Sequence, residues 1–214
     1  MEYRNSAVVG ITGGIGCGQT TVSRFFESFG AKVIQADLVA HEVLRRDRNV
    51  KRELRKAFGD SIFYGNGKLN RQALAAIAFQ DESKTQRLNR IVHPRMVAEI
   101  IEQIEKARES GQYRVIVVDA ALIYELNLEH MFDAVVVVGA RMGKRIQRIK
   151  KRDGISSKEI SDRIQKQIPI EDKMKWGDFV IENNGTLKEL EAQARKVYES
   201  LKKLAQRKRR RARA

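Results

Sequence analysis

Glycines recur over residues 12–18, between a short apolar run and an amphipathic helical pattern. The spacing fits the phosphate-loop pattern G-x-x-x-x-G-K-[ST] at Gly13, Gly18 and Thr20, but Gln19 stands where the pattern has lysine. Backbone N–H groups of such a loop can surround phosphate oxygens, and the next helix adds its own free N–H groups and positive dipole end. The sequence therefore predicts a nucleotide phosphate site formed by Gly13, Gly14, Ile15, Gly16, Cys17, Gly18, Gln19, Thr20 and Thr21.

The side chains of this loop differ in what they can contribute. The glycines are expected to allow positive φ angles and close backbone approach. Gln19 can donate a hydrogen bond but carries no charge. Cys17 is expected to fill space, with a redox role as the alternative. A glycine-rich turn without function is the alternative for the whole stretch.

Two acidic residues follow apolar strand patterns that would bring them to the edge of the sheet that carries this loop. Asp37 comes just after the pattern at residues 32–35, and Asp119 ends the run that begins at Arg114. Carboxylates at the carboxyl ends of parallel strands line the ligand crevice of open α/β sheets. We expect Thr20 and Asp119 to hold Mg²⁺ beside bound phosphates, with a capping role for Asp119 as the alternative.

Apolar runs and helical patterns alternate along the chain, which predicts an α/β fold with helices on both faces of a parallel sheet. Strands are predicted over 7–11, 32–35, 114–119, 134–138 and 179–181. Helices are predicted over 38–58, from residue 71, over 82–109 with an interruption at His93-Pro94, and over 141–152, 156–168 and 187–204.

The order of these segments suits a three-layer P-loop nucleotide kinase with a helical acceptor-binding insert and a cationic lid. The predicted parts are a nucleotide-binding core at 1–37, 111–140 and 173–205, an acceptor insert at 38–110, a lid at 141–172 and a basic tail at 206–214.

The composition favours a cytoplasmic protein. A single cysteine excludes an internal disulfide, and neither a signal peptide nor a membrane-spanning stretch is expected. The net charge is +15 and the pI about 10.1, partly because of the basic run at 207–213. Without a known nucleic-acid-binding motif, we keep nucleic acid only as a hypothesis for this tail. We expect no membrane partner, and a monomer or weak homo-oligomer.

Several separate motifs, spread over about residues 7–204, together resemble the dephospho-coenzyme A kinase family. These motifs are Thr12-Gly13-Gly14-Ile15-Gly16-Cys17-Gly18, Ala36-Asp37 with His41, Leu69-Asn70-Arg71, His93-Pro94, Arg152-Asp153-Gly154, Arg163 with Gln167 and Pro169, Lys173, Asp178, and Ile181-Glu182-Asn183-Asn184-Gly185. The resemblance implies ATP and dephospho-coenzyme A as ligands, Mg²⁺ as cofactor, and phosphorylation of the ribose 3′-hydroxyl.

The resemblance also implies roles for particular residues. Asp37 matches the family's catalytic aspartate, and a carboxylate there could orient the acceptor hydroxyl and accept its proton, with an ion-paired structural aspartate as the alternative. Arg148 and Arg152 match lid arginines that neutralise the transferring group, whereas most of the other cations between 141 and 151 are expected on a solvated helix face. The acceptor is expected to contact Asp37, His41, Arg71, His93 and Arg95, with a structural turn as the alternative for His93. The adenine is expected beside Asn183, Asn184 and Gly185.

Three departures from the family pattern stand out: Gln19 for the loop lysine, Gln35 for the first aspartate of Asp-Ala-Asp, and Ala120-Ala121-Leu122 for Pro-Leu-Leu, with Glu125 retained. Only the first bears on catalysis. Loss of one preorganised donor costs ~10²–10³ in rate. A catalytically impaired nucleotide- or coenzyme A-binding relative is therefore the main alternative. A P-loop kinase for another nucleoside or nucleotide is a weaker one.

Overall fold

The computed structural model describes residues 6–211. Five strands form one sheet: β1 (Ala7–Gly13), β2 (Lys32–Gln35), β3 (Val115–Asp119), β4 (Ala134–Gly139) and β5 (Phe179–Glu182). Nine α-helices accompany them in the described residues: α1 (Gln19–Ser28), α2 (Ala36–Arg46), α3 (Arg48–Phe58), α4 (Arg71–Ala78), α5 (Glu82–Glu109), α6 (Met142–Asp153), α7 (Ser157–Gln165), α8 (Ile170–Trp176) and α9 (Leu187–Arg211).

The strand order is β2-β3-β1-β4-β5, and β1 pairs in parallel with both β3 and β4. Every residue of β1 is buried, which explains its continuous apolar run. The register places Ile11 beside Asp119 and Gly13 beside Val138. The sheet therefore brings the end of β1 and the carboxylate that ends β3 to one edge.

The predicted parallel α/β architecture is confirmed. The core lies between the sheet and helices that include α1 and α9. Phe26 of α1 and Tyr198 of α9, both buried, pack with ring centroids 5.9 Å apart. Helix α9 presents Leu190, Ala194 and Leu201 at helical spacing to this core, so docking on the sheet explains its apolar pattern.

The described chain falls into two compact units. One comprises the residues up to Ile34 together with those from Ile104 onward, and the other is Gln35–Gln103. We call them the core unit and the insert unit. The insert unit overlaps the predicted acceptor insert 38–110, whose role stays a prediction.

Four helix boundaries differ from the sequence expectation. The pattern 38–58 divides at Asp47, whose side chain accepts hydrogen bonds from Asn49 N and Val50 N and so caps α3. The expected interruption at His93-Pro94 is wrong, because α5 continues through Pro94. Proline removes one backbone donor, whereas buried apolar side chains on both sides of it hold the helix in place.

The other two differences lie nearer the carboxyl end. Helix α7 stops at Gln165, and α8, which begins after Pro169, was missed because it has only seven residues. Helix α9 continues into the segment predicted as a tail, as far as Arg211, and Lys208 pairs with Asp133 at 2.6 Å. Residues 212–214 of that tail lie outside the described residues. No described helix combines the length and apolar character needed to cross a bilayer.

Candidate functional site

The glycine-rich loop connects β1 to α1 and bends through two left-handed glycines. Gly16 and Gly18 have φ angles of 80° and 92°, a region that other residues disfavour. Gly13 serves close approach instead, because a Cβ on it would lie 2.6 Å from the carbonyl oxygen of Val138. The loop is thus fitted between α1 and the paired ends of β1 and β4.

Backbone N–H groups of this loop are available to an anion. Within residues 6–211, no acceptor serves the N–H groups of Gly16, Gly18, Gln19 and Thr20. Gly18 directly precedes the first turn of α1, where free N–H groups and the helix dipole favour negative charge. Phosphate oxygens are the ligands that such a concavity suits best.

Gln19 is bound to the protein on both hydrogens of its side-chain nitrogen. Its Nε2 donates to the carbonyl oxygen of Ile11 at 3.0 Å and to Oδ1 of Asp119. An amide nitrogen has only two hydrogens, so Gln19 has no side-chain donor left for a phosphate. The lysine of the standard pattern would have supplied both a charge and donors here.

The residues predicted to hold Mg²⁺ fit a site in which the substrate supplies part of the metal's coordination shell. The side chain of Thr20 is exposed at the start of α1, and Asp119 ends β3. No group of three or more His, Cys, Asp or Glu residues suited to a metal occurs in the described part of the chain. Mg²⁺ commonly takes one or two protein ligands and completes its shell with phosphates and water, which is compatible with this pair.

Helix α6 places two arginines against the phosphate loop. Arg145 is 3% exposed, and its Nε donates to the carbonyl oxygen of Ile15 at 3.0 Å. Arg148 donates to the carbonyl and side-chain oxygens of Asn183, at 2.9 and 3.0 Å, and to the carbonyl oxygen of Gly16 at 3.4 Å. Arg145 is an exception to the expected solvated face, because it shares the buried face of α6 with Ile149, four residues on.

Arg152, the second predicted lid arginine, contacts the carboxylate of Asp153 rather than the phosphate loop. Its guanidinium forms two hydrogen bonds to the Asp153 carboxylate, at 2.7 and 3.0 Å, and Arg163 lies 3.5 Å from the same carboxylate. Pairing with Arg152 lowers the pKa of Asp153 and raises that of Arg152. The charge of Arg152 is therefore already partnered.

The Asn183-Asn184-Gly185 segment follows β5 and reaches the phosphate loop. Nδ2 of Asn183 donates to the carbonyl oxygen of Cys17 at 2.8 Å. Oδ1 of Asn184 accepts a hydrogen bond from the backbone of Arg141 at 2.8 Å. The structure thus brings this segment, the loop and α6 together inside the core unit.

Cys17 is fully buried and belongs to the hydrophobic core. Burial raises the pKa of its thiol, and the charges of Arg145 and Arg148 act in the opposite direction. A thiol that is both buried and protonated is a poor nucleophile and a poor redox centre.

A polar cluster forms within the insert unit. Asp37 and His41 are four residues apart in α2, so their side chains share one face of that helix. Nε2 of His41 contacts Nη2 of Arg71, at the start of α4, at 2.5 Å. All three side chains are exposed and can meet a ligand.

The other two predicted acceptor residues lie in α5 and have different surroundings. Arg95 forms an ion pair with Asp47 at 2.7 Å. His93 is half-buried in the middle of the helix rather than in a turn, and burial lowers its pKa. Neither is joined by a hydrogen bond to the Asp37, His41 and Arg71 cluster within the described residues.

Sequence reasoning missed the contacts of two further residues, one at the phosphate loop and one in the segment after β3. Oε1 of Gln167 accepts a hydrogen bond from Ile15 N at 2.9 Å. Lys173, fully buried, pairs with Glu125 at 2.6 Å and donates to the carbonyl oxygen of Ala121. Gln167 and Lys173 appeared in the motif series, but nothing in their spacing indicated these contacts.

Comparison with known proteins identifies the same family over most of the chain. The family model described as Dephospho-CoA kinase matches residues 7–189. A Dephospho-CoA kinase from Bacillus licheniformis is 35% identical over 193 residues, which cover 90% of this chain and 96% of that protein.

Two solved structures are also similar to this chain over most of its length. A crystal structure from Thermus thermophilus aligns with a TM-score of 0.78 and 30% identity, over 92% of this chain and 98% of that one. The structure of a Dephospho-CoA kinase from Campylobacter jejuni aligns with a TM-score of 0.63 and 26% identity, with the same coverage.

Proposed function

Because this chain belongs to the dephospho-CoA kinase family, we propose that it transfers the γ-phosphoryl group of ATP to the ribose 3′-hydroxyl of dephospho-coenzyme A. The product is coenzyme A, and the reaction is the last step of coenzyme A biosynthesis. The observation that carries this function is the family match over residues 7–189, which includes the phosphate loop and the cluster at Asp37. The comparisons reported above do not favour the impaired-binder alternative.

ATP binds the core unit in this proposal. The free N–H groups between Gly16 and Thr20 take the phosphates, since they face no protein acceptor within the described residues. Asn183, Asn184 and Gly185 line the adenine. Arg148, which is held on Asn183, contributes charge beside the loop.

Mg²⁺ is proposed as the cofactor, held by the Thr20 hydroxyl and the Asp119 carboxylate together with ATP oxygens. When bound, it neutralises charge on the phosphates. One oxygen of Asp119 already accepts from Gln19, so this carboxylate would serve the metal and the loop together.

The acceptor binds the insert unit in this proposal. Asp37 orients the 3′-hydroxyl and accepts its proton as the new bond to phosphorus forms, while the bond between the γ-phosphorus and the β-phosphate oxygen breaks and ADP leaves. His41 and Arg71, joined at 2.5 Å, bind phosphate groups of dephospho-coenzyme A, and His93 and Arg95 of α5 are the further acceptor-binding residues. Arg152 is assigned to neutralising the charge of the transferring phosphoryl group. For this role, Arg152 must break its ion pair with Asp153 and bind the phosphoryl group instead.

The test is product identification by mass. The purified chain is incubated with ATP, Mg²⁺ and dephospho-coenzyme A, and separately with adenosine, AMP and shikimate as acceptors. We expect one added phosphate on dephospho-coenzyme A, located at the ribose 3′-position by fragmentation. Phosphorylation of another acceptor in preference would contradict the assignment.

Location and assembly are proposals of the same kind. We expect the protein to work in the cytoplasm, where ATP and its acceptor are present, as a monomer or weak homo-oligomer. Cell fractionation and light scattering address these two points.

A further inference from the structure

The phosphate loop of this chain lacks the cation that its pattern normally provides, and Gln19 offers no substitute. Both hydrogens of its Nε2 are held by Ile11 and Asp119. Its remaining polar atom is an oxygen, which accepts hydrogen bonds and cannot donate one to a phosphate. A triphosphate bound by the loop therefore meets backbone N–H groups but no charged side chain within the loop itself.

One buried cation packs against the same loop from α6. Arg145 donates from Nε to Ile15, and its Nη2 lies 2.7 Å from the position that a Cβ on Gly14 would occupy. A Cβ at position 14 would require the guanidinium to shift. Gly16 is equally close to the backbone of Arg145, since a Cβ there would lie 2.9 Å from its carbonyl oxygen.

The charge of Arg145 has no acidic partner within residues 6–211. No carboxylate there lies within ion-pair distance of it, and its two terminal nitrogens have no hydrogen-bond acceptor. A cation that is 3% exposed and unpaired carries a desolvation penalty. An anion that arrives at the loop relieves this penalty, so binding gains from it.

The other two arginines of α6 are less suited to replace the missing lysine. Arg148 directs Nη2 to two oxygens of Asn183. Arg152 is neutralised by Asp153 and is 64% exposed in its side chain, so solvent screens its charge. Arg145 is more deeply buried than either, and a buried charge acts more strongly over a given distance than an exposed one.

We propose that Arg145 supplies the positive charge at the phosphate loop that lysine supplies in the standard pattern. In this chain the charge therefore comes from α6 instead of α1. The inference rests on the proposed function only in taking ATP as the ligand. It concerns the nucleotide alone and does not depend on which acceptor is phosphorylated.

The experiment measures ATP binding by titration calorimetry in the presence of Mg²⁺ and without acceptor. We expect Arg145→Gln to weaken ATP binding roughly tenfold or more, as loss of a charge-assisted contact does. Lys144→Gln is the matched control, since Lys144 is an exposed cation on the same helix, and its effect should stay below about twofold. Arg145→Met repeats the test with an apolar chain of similar length in case the polar variant does not fold.

The decisive variant is Gln19→Lys combined with Arg145→Gln, which returns the charge to α1. We expect this double variant to recover ATP affinity to within about threefold of the unaltered chain. A purely structural Arg145 predicts no such rescue, because lysine at position 19 cannot restore packing on Ile15 and Gly14.

Two results overturn the proposal: equal ATP affinity in the Arg145→Gln and Lys144→Gln variants, or no recovery in the double variant. Thermal unfolding without nucleotide gives a second readout. The rise in midpoint on adding ATP should be smaller for Arg145→Met than for the unaltered chain, and an equal rise also counts against the proposal. If dephospho-coenzyme A proved not to be the acceptor, these binding measurements would keep their meaning.

Discussion

At the scale of single residues, the proposed reaction depends on Asp37 as the group that accepts the proton of the acceptor hydroxyl. Asp37 is exposed in the first turn of α2, on the same face as His41. A carboxylate in that position can take the proton of an acceptor hydroxyl without first breaking an ion pair. The corresponding amide has similar size and shape but cannot accept the proton.

Asp37→Asn should therefore lower kcat by about 10²–10⁴, the usual contribution of general acid–base catalysis. ATP affinity should stay unchanged, because the substitution leaves the core unit intact. Steady-state kinetics and calorimetry check both parts. The control is Glu53→Gln, an exposed carboxylate of α3 in the same unit, which should leave kcat unaffected. Equal kcat in the two variants would show that Asp37 is structural.

Arg71 tests the acceptor site. Because Arg71 contacts His41, its guanidinium lies beside α2, the helix that carries Asp37. A phosphate of dephospho-coenzyme A can bind this cation. We expect Arg71→Gln to raise KM for dephospho-coenzyme A by roughly 10–100-fold, as loss of a hydrogen bond between charged groups does. KM for ATP should not change. The control is Arg52→Gln, which removes an exposed arginine of α3. A similar rise in KM for that variant would show that the effect comes from the overall positive charge and not from a specific contact of Arg71.

His93 predicts a pH dependence of stability. Burial lowers its pKa below 6.5, so the unfolded chain binds this proton more readily than the folded chain. The free energy of unfolding must therefore fall as the pH drops through 6.5 toward the folded pKa. His93→Gln should make this slope shallower, as measured by urea unfolding at several pH values. Exposed His130→Gln is the control, and an unchanged slope in the His93 variant would contradict the argument.

At the scale of elements, one buried ion pair joins α8 to the segment that follows β3. Lys173 is fully buried, contacts Glu125 at 2.6 Å and donates to Ala121 at 3.1 Å. Glu125 also accepts a hydrogen bond from Ile168 N at 3.2 Å. The pair thus fixes the chain just beyond the Asp119 end of β3.

Lys173→Met should destabilise the protein by about 3–5 kcal/mol, since it leaves the Glu125 carboxylate largely buried without its cation. Denaturant unfolding measures the change. Lys175→Met, an exposed lysine on the same helix, should have little effect. The combined Lys173→Met and Glu125→Leu variant should recover part of the loss, and a double variant that is less stable than Lys173→Met would count against this explanation.

The sequence predicted the elements of the sheet well because buried parallel strands require continuous apolar runs, as β1 and β4 have. Local caps such as the Ser156–Glu159 box depend on neighbouring residues alone. The continuity of α5 through Pro94 could not be predicted, because it depends on buried contacts that outweigh one missing hydrogen bond.

The same distinction applies to the site. The loop was predicted from its spacing, since backbone geometry there depends on glycines. The burial of Arg145 was missed because a charged residue in a run of cations is normally exposed. The hydrogen bonds of Gln19 depend on the pairing of β1 with β3, which only the assembled sheet provides.

At the scale of the whole molecule, the net charge of +15 raises the question of polyanions other than ATP. Much of the carboxyl-terminal charge lies on α9. Near the end of this helix, Lys208 forms an ion pair with Asp133. Asp133 also accepts a hydrogen bond from Val8 N of β1 at 2.9 Å, so this ion pair connects α9 to the sheet. Deletion of 206–214 should reduce retention on heparin and leave kcat unchanged. Unaltered retention would exclude the tail as the main polyanion-binding segment, and steep salt dependence is expected of any such binding.

The central claim is that the chain catalyses phosphoryl transfer as it stands, with Gln19 in its phosphate loop. The most direct measurement is kcat of the unaltered chain with saturating ATP, Mg²⁺ and dephospho-coenzyme A, followed by the mass of the product. We expect formation of coenzyme A at roughly 1–100 s⁻¹, the range of typical kinases. Binding of both substrates without product, together with activity that appears only in the Gln19→Lys variant, would contradict it.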